Sequence, residues 1–178
     1  MKEAFQRLRM QLEKTNLPPV DKWNPSNVGE IDIHIRSDGT WLHDKREIER
    51  ISIAKLFSTV LVCEEGEYYL KTPVEKLRIS VEDAPFVVVD YETRGRDKDQ
   101  MVIVRTNFDE CVYIDSNNRI FMASHFNNET KPYVHIRSGL NAVFARSVYY
   151  RLASEIVVEC KNEFVLWSCG SRFVLGSV

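Results

Sequence analysis

Residues 33–39 read Ile-His-Ile-Arg-Ser-Asp-Gly, and residues 134–139 read Val-His-Ile-Arg-Ser-Gly, 101 positions further on (His34 to His135). A repeat at so long a period is settled first, because it turns one body into two related ones. Within each copy apolar residues alternate with polar ones, the period of a half-buried strand. Ile33 and Ile35 take one face, and Asp32, His34 and Arg36 the other. In the second copy Val134 and Ile136 face a core, while Tyr133, His135 and Arg137 share the opposite side.

The match runs on beyond these strands. Arg50-Ile51-Ser52-Ile53-Ala54-Lys55-Leu56 aligns with Arg146-Ser147-Val148-Tyr149-Tyr150-Arg151-Leu152, and Glu67-Tyr68-Tyr69-Leu70 with Glu163-Phe164-Val165-Leu166, both at an offset of 96. Three segments matched in order favour duplication of a strand, connection, helix and strand over chance likeness of amphipathic elements. The drop from 101 to 96 puts five extra residues in the first copy's connection.

Around the repeat, residues 3–14 read as a helix with Phe5, Leu8 and Leu12 on one face, ended by Pro18 and Pro19. Residues 16–29 read as a wrapping segment anchored by Trp23. A strand over 31–36 turns at Asp38-Gly39 into a short strand at 40–43. Residues 51–62 form a helix that points Ile53, Leu56, Phe57, Val60 and Leu61 at the core. Strands follow at 68–71, 77–81 and 86–91, then a charged, glycine-containing stretch at 93–100 that reads as a mobile hairpin loop. Residues 101–105 are apolar on both faces and predict a central strand, followed by a hairpin of 111–114 with 120–123. One long helix is predicted over 140–157, with Leu140, Phe144, Val148, Leu152 and Ile156 on a stripe and Ser138 as N-cap. Two strands, 163–168 and 172–175, close the chain. The fold class is α+β: two structurally related repeats with antiparallel sheets, each with a packed helix. The expected segments are 1–27 (helix and wrapping segment), 28–92 (first repeat) and 93–178 (second repeat).

With 178 residues, 44% of them apolar, the chain can bury a proper core. A net charge of −2 gives no electrostatic preference for nucleic acid or an anionic membrane. No apolar run approaches the ~20 residues of a membrane span, and residues 1–15 lack the continuous apolar stretch of a signal peptide. The four cysteines form no C-x-x-C pair, so reduced thiols and a cytoplasmic location are expected. Phosphate-loop, dinucleotide, nucleophile-elbow and zinc-protease motifs are absent from the sequence, and no two of the four histidines stand four apart. Nothing here predicts an enzyme, a cofactor or a metal.

The residues with chemistry to offer are few. Arg36 and Arg137, each on a face with a histidine, can hold phosphate or carboxylate through charge-assisted hydrogen bonds; the alternative is a solvated sheet face. Arg105 and Asn107 end the central strand, either to bind an anion and a polar edge or simply to make a turn. Trp41, Tyr149 and Tyr150 offer planar surface, with Arg146 beside them, and core-edge packing is the plainer role. Glu75, Glu82 and Asp83 read as turn carboxylates before they read as a metal-binding cluster, and Cys169 as a small residue before a nucleophile.

Several stretches resemble an uncharacterised bacterial family, domain-of-unknown-function family 1285. They are residues 33–41, 68–76 (Tyr-Tyr-Leu-Lys-Thr-Pro-Val-Glu-Lys), 81–86 (Val-Glu-Asp-Ala-Pro-Phe), Arg105-Thr106-Asn107, 132–139, 146–150 and Leu166-Trp167-Ser168. The resemblance implies a duplicated α+β core, a C-terminal half loosely like pleckstrin-homology domains, a ligand site between the halves, and a suggested role in signalling with a nucleotide-like ligand. The expectation is therefore a ligand-binding or sensory protein for a small anionic, nucleotide-like molecule held by Arg36, Trp41, Arg105, Asn107, Arg137, Arg146 and Tyr149. It has no nucleic-acid partner, and the sequence sets no oligomeric state. The alternatives are a protein-interaction module and, behind it, a metal-dependent phosphoester hydrolase.

Overall fold

The structure, a computed structural model, describes residues 17–124 and 128–177. The helix expected over 3–14 lies outside the described residues. The chain forms two compact units, residues 17–85 with 137–140, and residues 86–136 with 141–177.

In the N-terminal unit, β1 (Asn27–Ile35) turns into β2 (Trp41–His43) and β3 (Arg46–Glu47); α1 (Ile51–Thr59) leads to a meander of β4 (Leu61–Glu64), β5 (Glu67–Lys71) and β6 (Glu75–Val81). The six strands make one sheet in the order β3-β2-β1-β6-β5-β4. Hairpin and meander are joined by the parallel pair β1 and β6, and the other pairs are antiparallel. One face buries Ile33, Ile35, Leu61, Leu70 and Ile79, and Trp41 stacks on Phe57 of α1 with ring centres 6.5 Å apart. The other face is a charge lattice. Glu64 accepts from Lys71 at 2.9 Å and Lys76 at 2.6 Å, and the Lys76 ammonium sits 4.3 Å from the centre of the Tyr69 ring.

The apolar stripe expected of α1 is not its buried face. Ala54 and Ser58 are buried and Phe57 half-buried, whereas Ile53 is 38% and Ile51 and Leu56 are each 64% exposed. Small residues let the helix approach the sheet closely, and the larger aliphatic side chains are left outside.

In the C-terminal unit, β7 (Phe86–Arg94), β8 (Met101–Thr106), β9 (Cys111–Tyr113), β10 (Ile120–Ser124), β11 (Thr130–Arg137) and β12 (Leu140–Phe144) form a second sheet, ordered β10-β11-β12-β7-β8-β9 with β12 parallel to β7. Then α2 (Arg146–Glu155) leads to a separate meander of β13 (Val158–Cys160), β14 (Glu163–Ser168) and β15 (Ser171–Ser177). Hairpin, helix and three-stranded meander therefore recur in order. The pairs β5 and β14 (Glu67, Glu163) and β6 and β15 (Glu75, Ser171) begin 96 residues apart. The chain is an α+β protein of two repeated halves. The extra residues of the first copy are shared between a longer hairpin turn, 36–40 against 138–139, and the stretch that carries β3. The two meanders close differently: β6 pairs with its own hairpin, whereas the second hairpin takes its parallel neighbour from β7.

The long helix expected over 140–157 is two elements. Ser138 is no N-cap: with Gly139 it makes a two-residue hairpin turn, φ 45° and 75°, between β11 and β12. Leu140, Ala142 and Phe144 alternate into the core as a strand does, and α2 starts only after Ala145. Leu140 and Phe144 lie four apart, as do Val148 and Leu152, so a strand followed by a helix imitated one helical stripe.

Candidate functional site

The two opening arginines have different fates. Arg36 stands exposed at its turn. Beside it His34 Nε2 lies 2.8 Å from Glu82 Oε1, and Glu82 Oε2 accepts the backbone N–H of Ser37 at 2.9 Å. The bond to His34 and then the one from Ser37 hold the Glu82 carboxyl below its usual range. Arg137 is half-buried and donates to the carbonyls of Ser58 at 2.7 Å and Leu61 at 3.3 Å. Ser58 lies in the last turn of α1 and Leu61 opens the edge strand β4, so Arg137 bonds both sides of the helix-to-strand corner and sets a positive charge at the negative pole of α1.

The remaining expected site residues are placed as follows. Trp41 is 3% exposed, in the core of the N-terminal unit. Asn107 copies a strand edge: its Oδ1 accepts from Val87 N at 3.0 Å and its own N–H donates to Val87 O at 2.8 Å. Arg105 lies 3.3 Å from Asp109 and 3.6 Å from Asp90. Arg146 lies over the ring of Tyr150 at 5.6 Å. Half-buried Tyr149 packs edge-on against Phe144, and its hydroxyl lies 3.8 Å from the sulfur of Met122. Arg36, Trp41 and Arg137 thus belong to the N-terminal unit and Arg105, Asn107, Arg146 and Tyr149 to the C-terminal one. Glu75 opens β6 and Glu82 follows its last residue, about 23 Å away at the rise of an extended strand. Among the described residues no three His, Cys, Asp or Glu side chains are placed to share a metal ion.

The cavity that stands out lies elsewhere, within the C-terminal unit. It measures about 1110 Å³ and is lined by Arg94 at the end of β7, Arg96, Asp97 and Lys98 of the β7–β8 loop, Glu155 and Ile156 at the end of α2, Glu159 of β13 and Trp167 of β14. The charged loop between β7 and β8 is exposed over residues 93–99 and anchored where it enters β8. Gln100 is 5% exposed; its Nε2 donates to Trp167 O at 2.7 Å and its carbonyl accepts from Cys169 N at 3.0 Å. Two residues on, Val102 N donates to the buried Ser168 hydroxyl at 2.9 Å. Gly95 adopts φ +83°, and a Cβ there would stand 2.8 Å from Asp99 O, so the tight reversal requires glycine. The Lys98 ammonium reaches 5.3 Å from the centre of the Trp167 ring.

Behind the cavity runs a polar chain. Tyr91 is 6% exposed, and its hydroxyl donates to Glu155 at 2.7 Å. Burial, then the carboxylate beside it, pushes this phenol up to about 12, so it stays a donor at any physiological pH. The Arg151 guanidinium lies 4.6 Å over the Tyr91 ring and donates to Asp90. Burial alone would raise the Asp90 carboxyl; the bonds from Arg151 and from Tyr91 N outweigh it and hold it low. None of the seven expected site residues lines this cavity. The legible signal was Arg94-Gly95-Arg96-Asp97-Lys98, three cations spaced around a glycine that the turn requires.

The profile of the N-terminal domain of DUF1285, a domain of unknown function, matches residues 18–84, and that of the C-terminal domain of DUF1285, a protein of unknown function, matches residues 85–175. The chain belongs to the DUF1285 family. A crystal structure at 2.50 Å of a DUF1285 family protein from Silicibacter pomeroyi DSS-3 is 39% identical, with a TM-score of 0.87 over 97% of this chain and 93% of that one. A DUF1285 family protein from Shewanella baltica OS155, solved at 1.40 Å, is 29% identical, with a TM-score of 0.55 over 70% of this chain and 91% of that one. No curated protein matches the chain. The DUF1285 boundary between residues 84 and 85 falls one residue before the break between the compact units at Pro85 and Phe86. No helix among the described residues is long and apolar enough to cross a membrane.

Proposed function

We propose that this DUF1285 chain is a small-molecule binding protein, a sensor rather than a catalyst, that takes a small anionic ligand with a planar part into the cavity of its C-terminal unit. The observation that carries the reading is the cavity itself: about 1110 Å³, with an indole on its wall and cations of the glycine-turned loop on its rim. Ligand pockets are of this order of size and combine apolar surface with a few convergent polar groups. Arg96 and Lys98 would meet a phosphate or carboxylate, and Trp167 would stack on the planar part. The loop is preorganised by Gln100, which spares the ligand the cost of ordering it. Four cysteines without a disulfide suit a reducing cytoplasm. The exposed Ile51 and Leu56 of α1 are the observation that favours an interaction module as second reading.

A thermal-shift and calorimetric series with AMP, GMP, a dinucleotide and inorganic phosphate tests the proposal. A ligand at 100 times its Kd stabilises by about 2.7 kcal/mol. Lys98→Ala and Trp167→Phe should each weaken the response, whereas Arg36→Met should leave it unchanged. Absence of any shift with all four probes would remove the proposal's support.

A further inference from the structure

Cations and carboxylates both line the cavity. The β7–β8 loop brings Arg96, Asp97 and Lys98 to it; the end of α2 and β13 bring Glu155 and Glu159, with the carbonyl end of α2 at Glu155 and Ile156. A carboxylate in the last turn of a helix opposes the helix dipole, whose negative pole favours a cation there. The last turn of α2 carries no basic residue to offset it. Glu155 is nevertheless fixed, because the Tyr91 hydroxyl donates to it at 2.7 Å and Tyr91 is itself held beneath Arg151. Among the described residues, Arg96, Lys98 and Glu159 form no ion pair, with each other or with any neighbour. Opposite charges that line one cavity without pairing, one of them set against a local rule, mark a place where a ligand completes the electrostatics.

We infer that the ligand is zwitterionic, with an anionic group on the Arg96 and Lys98 side, a cationic group on the Glu155 and Glu159 side, and its planar part against Trp167. This rests on the proposed ligand-binding reading and narrows it. Tyr91 is a positioning residue in this arrangement, acting through Glu155.

Three probes that share one ring separate the charges: L-phenylalanine carries both, 3-phenylpropionate only the anion, and phenethylamine only the cation. Isothermal titration of the full chain should show phenylalanine binding about tenfold more tightly than either singly charged probe. Glu159→Gln should bring phenylalanine down to the level of phenylpropionate without changing phenylpropionate itself. Lys98→Ala should do the converse, weakening phenylalanine and phenylpropionate and sparing phenethylamine. Phenylpropionate binding as tightly as phenylalanine would overturn the inference while leaving an anion-binding cavity in place. So would AMP binding with all three phenyl probes silent. Silence from AMP and phosphate as well would overturn both readings together.

Discussion

Arg36 and Arg137 occupy the same place in the two copies of one motif, yet only Arg137 spends its guanidinium on the fold. Replacing each by methionine keeps most of the aliphatic stem and removes the charged fork, so the pair isolates the helix cap. In Arg137→Met the carbonyls of Ser58 and Leu61, residues 3% and 0% exposed, lose the guanidinium, and Ser58 O keeps only the Val60 N–H. The 2.7 Å bond is a charge-assisted one of about 1.5–3 kcal/mol; the 3.3 Å bond adds less, and loss of the cation at the helix end about 0.3–1 kcal/mol. The sum is about 2–4 kcal/mol, a large share of the roughly 4–10 kcal/mol that a unit of some 70 residues possesses. Arg36→Met removes an exposed side chain and should stay within about 0.5 kcal/mol of the parent. Urea unfolding followed by tryptophan fluorescence in a Trp23→Phe, Trp167→Phe background leaves Trp41, stacked on Phe57 of α1, as the reporter of this unit. At an m-value of about 2 kcal/mol/M the Arg137→Met midpoint should fall by about 1–2 M. Two midpoints that agree within about 0.3 M would refute the capping role and return Arg137 to the solvated face its sequence suggests.

Asn107→Ala should cost about 1–3 kcal/mol by leaving the Val87 N–H without its acceptor, and Asn107→Asp, which keeps that oxygen, should cost less; thermal melts of the pair decide whether the acceptor is what matters. The carboxyls of Glu64, Glu82 and Asp90 are all held low by donors in the native state, Asp90 against the opposing pull of burial. Their stabilisation is therefore complete above the unfolded-state values near 4 and is lost as pH falls through the lower native ones. Melting temperature should stay level from pH 7 to about 5 and drop below about 4, and Glu64→Gln should flatten that acid limb; a Glu64→Gln limb as steep as the parent's would contradict the Lys71 and Lys76 bonds. Burial pushes the Cys111 thiol up to about 11, whereas Cys169 stands exposed at a turn. Iodoacetamide at pH 8 should modify Cys169 first and Cys111 only on unfolding, and Cys169→Ser should abolish the fast phase.

Period-two alternation makes β1, β6 and β11 readable, an unbroken apolar run makes β8 readable, and the ordered repeat makes the duplication readable, because strands and hairpins are written in neighbouring residues. Residues 140–144 were misread because apolar side chains four apart satisfy both a strand entering a helix and a single helix; the Ser138-Gly139 turn was the discriminating signal. The α1 face was misread because hydrophobicity favours Leu56, whereas close packing on the sheet favours Ala54 and Ser58. Arg137 meets its partners across 79 and 76 residues, a distance no local pattern spans. The cavity was missed because its loop looks solvated until Gln100 is seen bonded to Trp167, 67 residues away.

The place of residues 137–140 in the N-terminal unit bears on the order in which the chain is made. The strands and helix of that unit have all been synthesised by residue 85, but the side chain that caps α1 comes within the 55 residues that follow (85 to 140). At ribosomal rates of about 5–20 residues per second the helix end waits roughly 3–11 s for its guanidinium. An N-terminal domain cut at the family boundary, residue 84, would wait indefinitely. It would carry every strand of its sheet and lack the one cation that closes its helix.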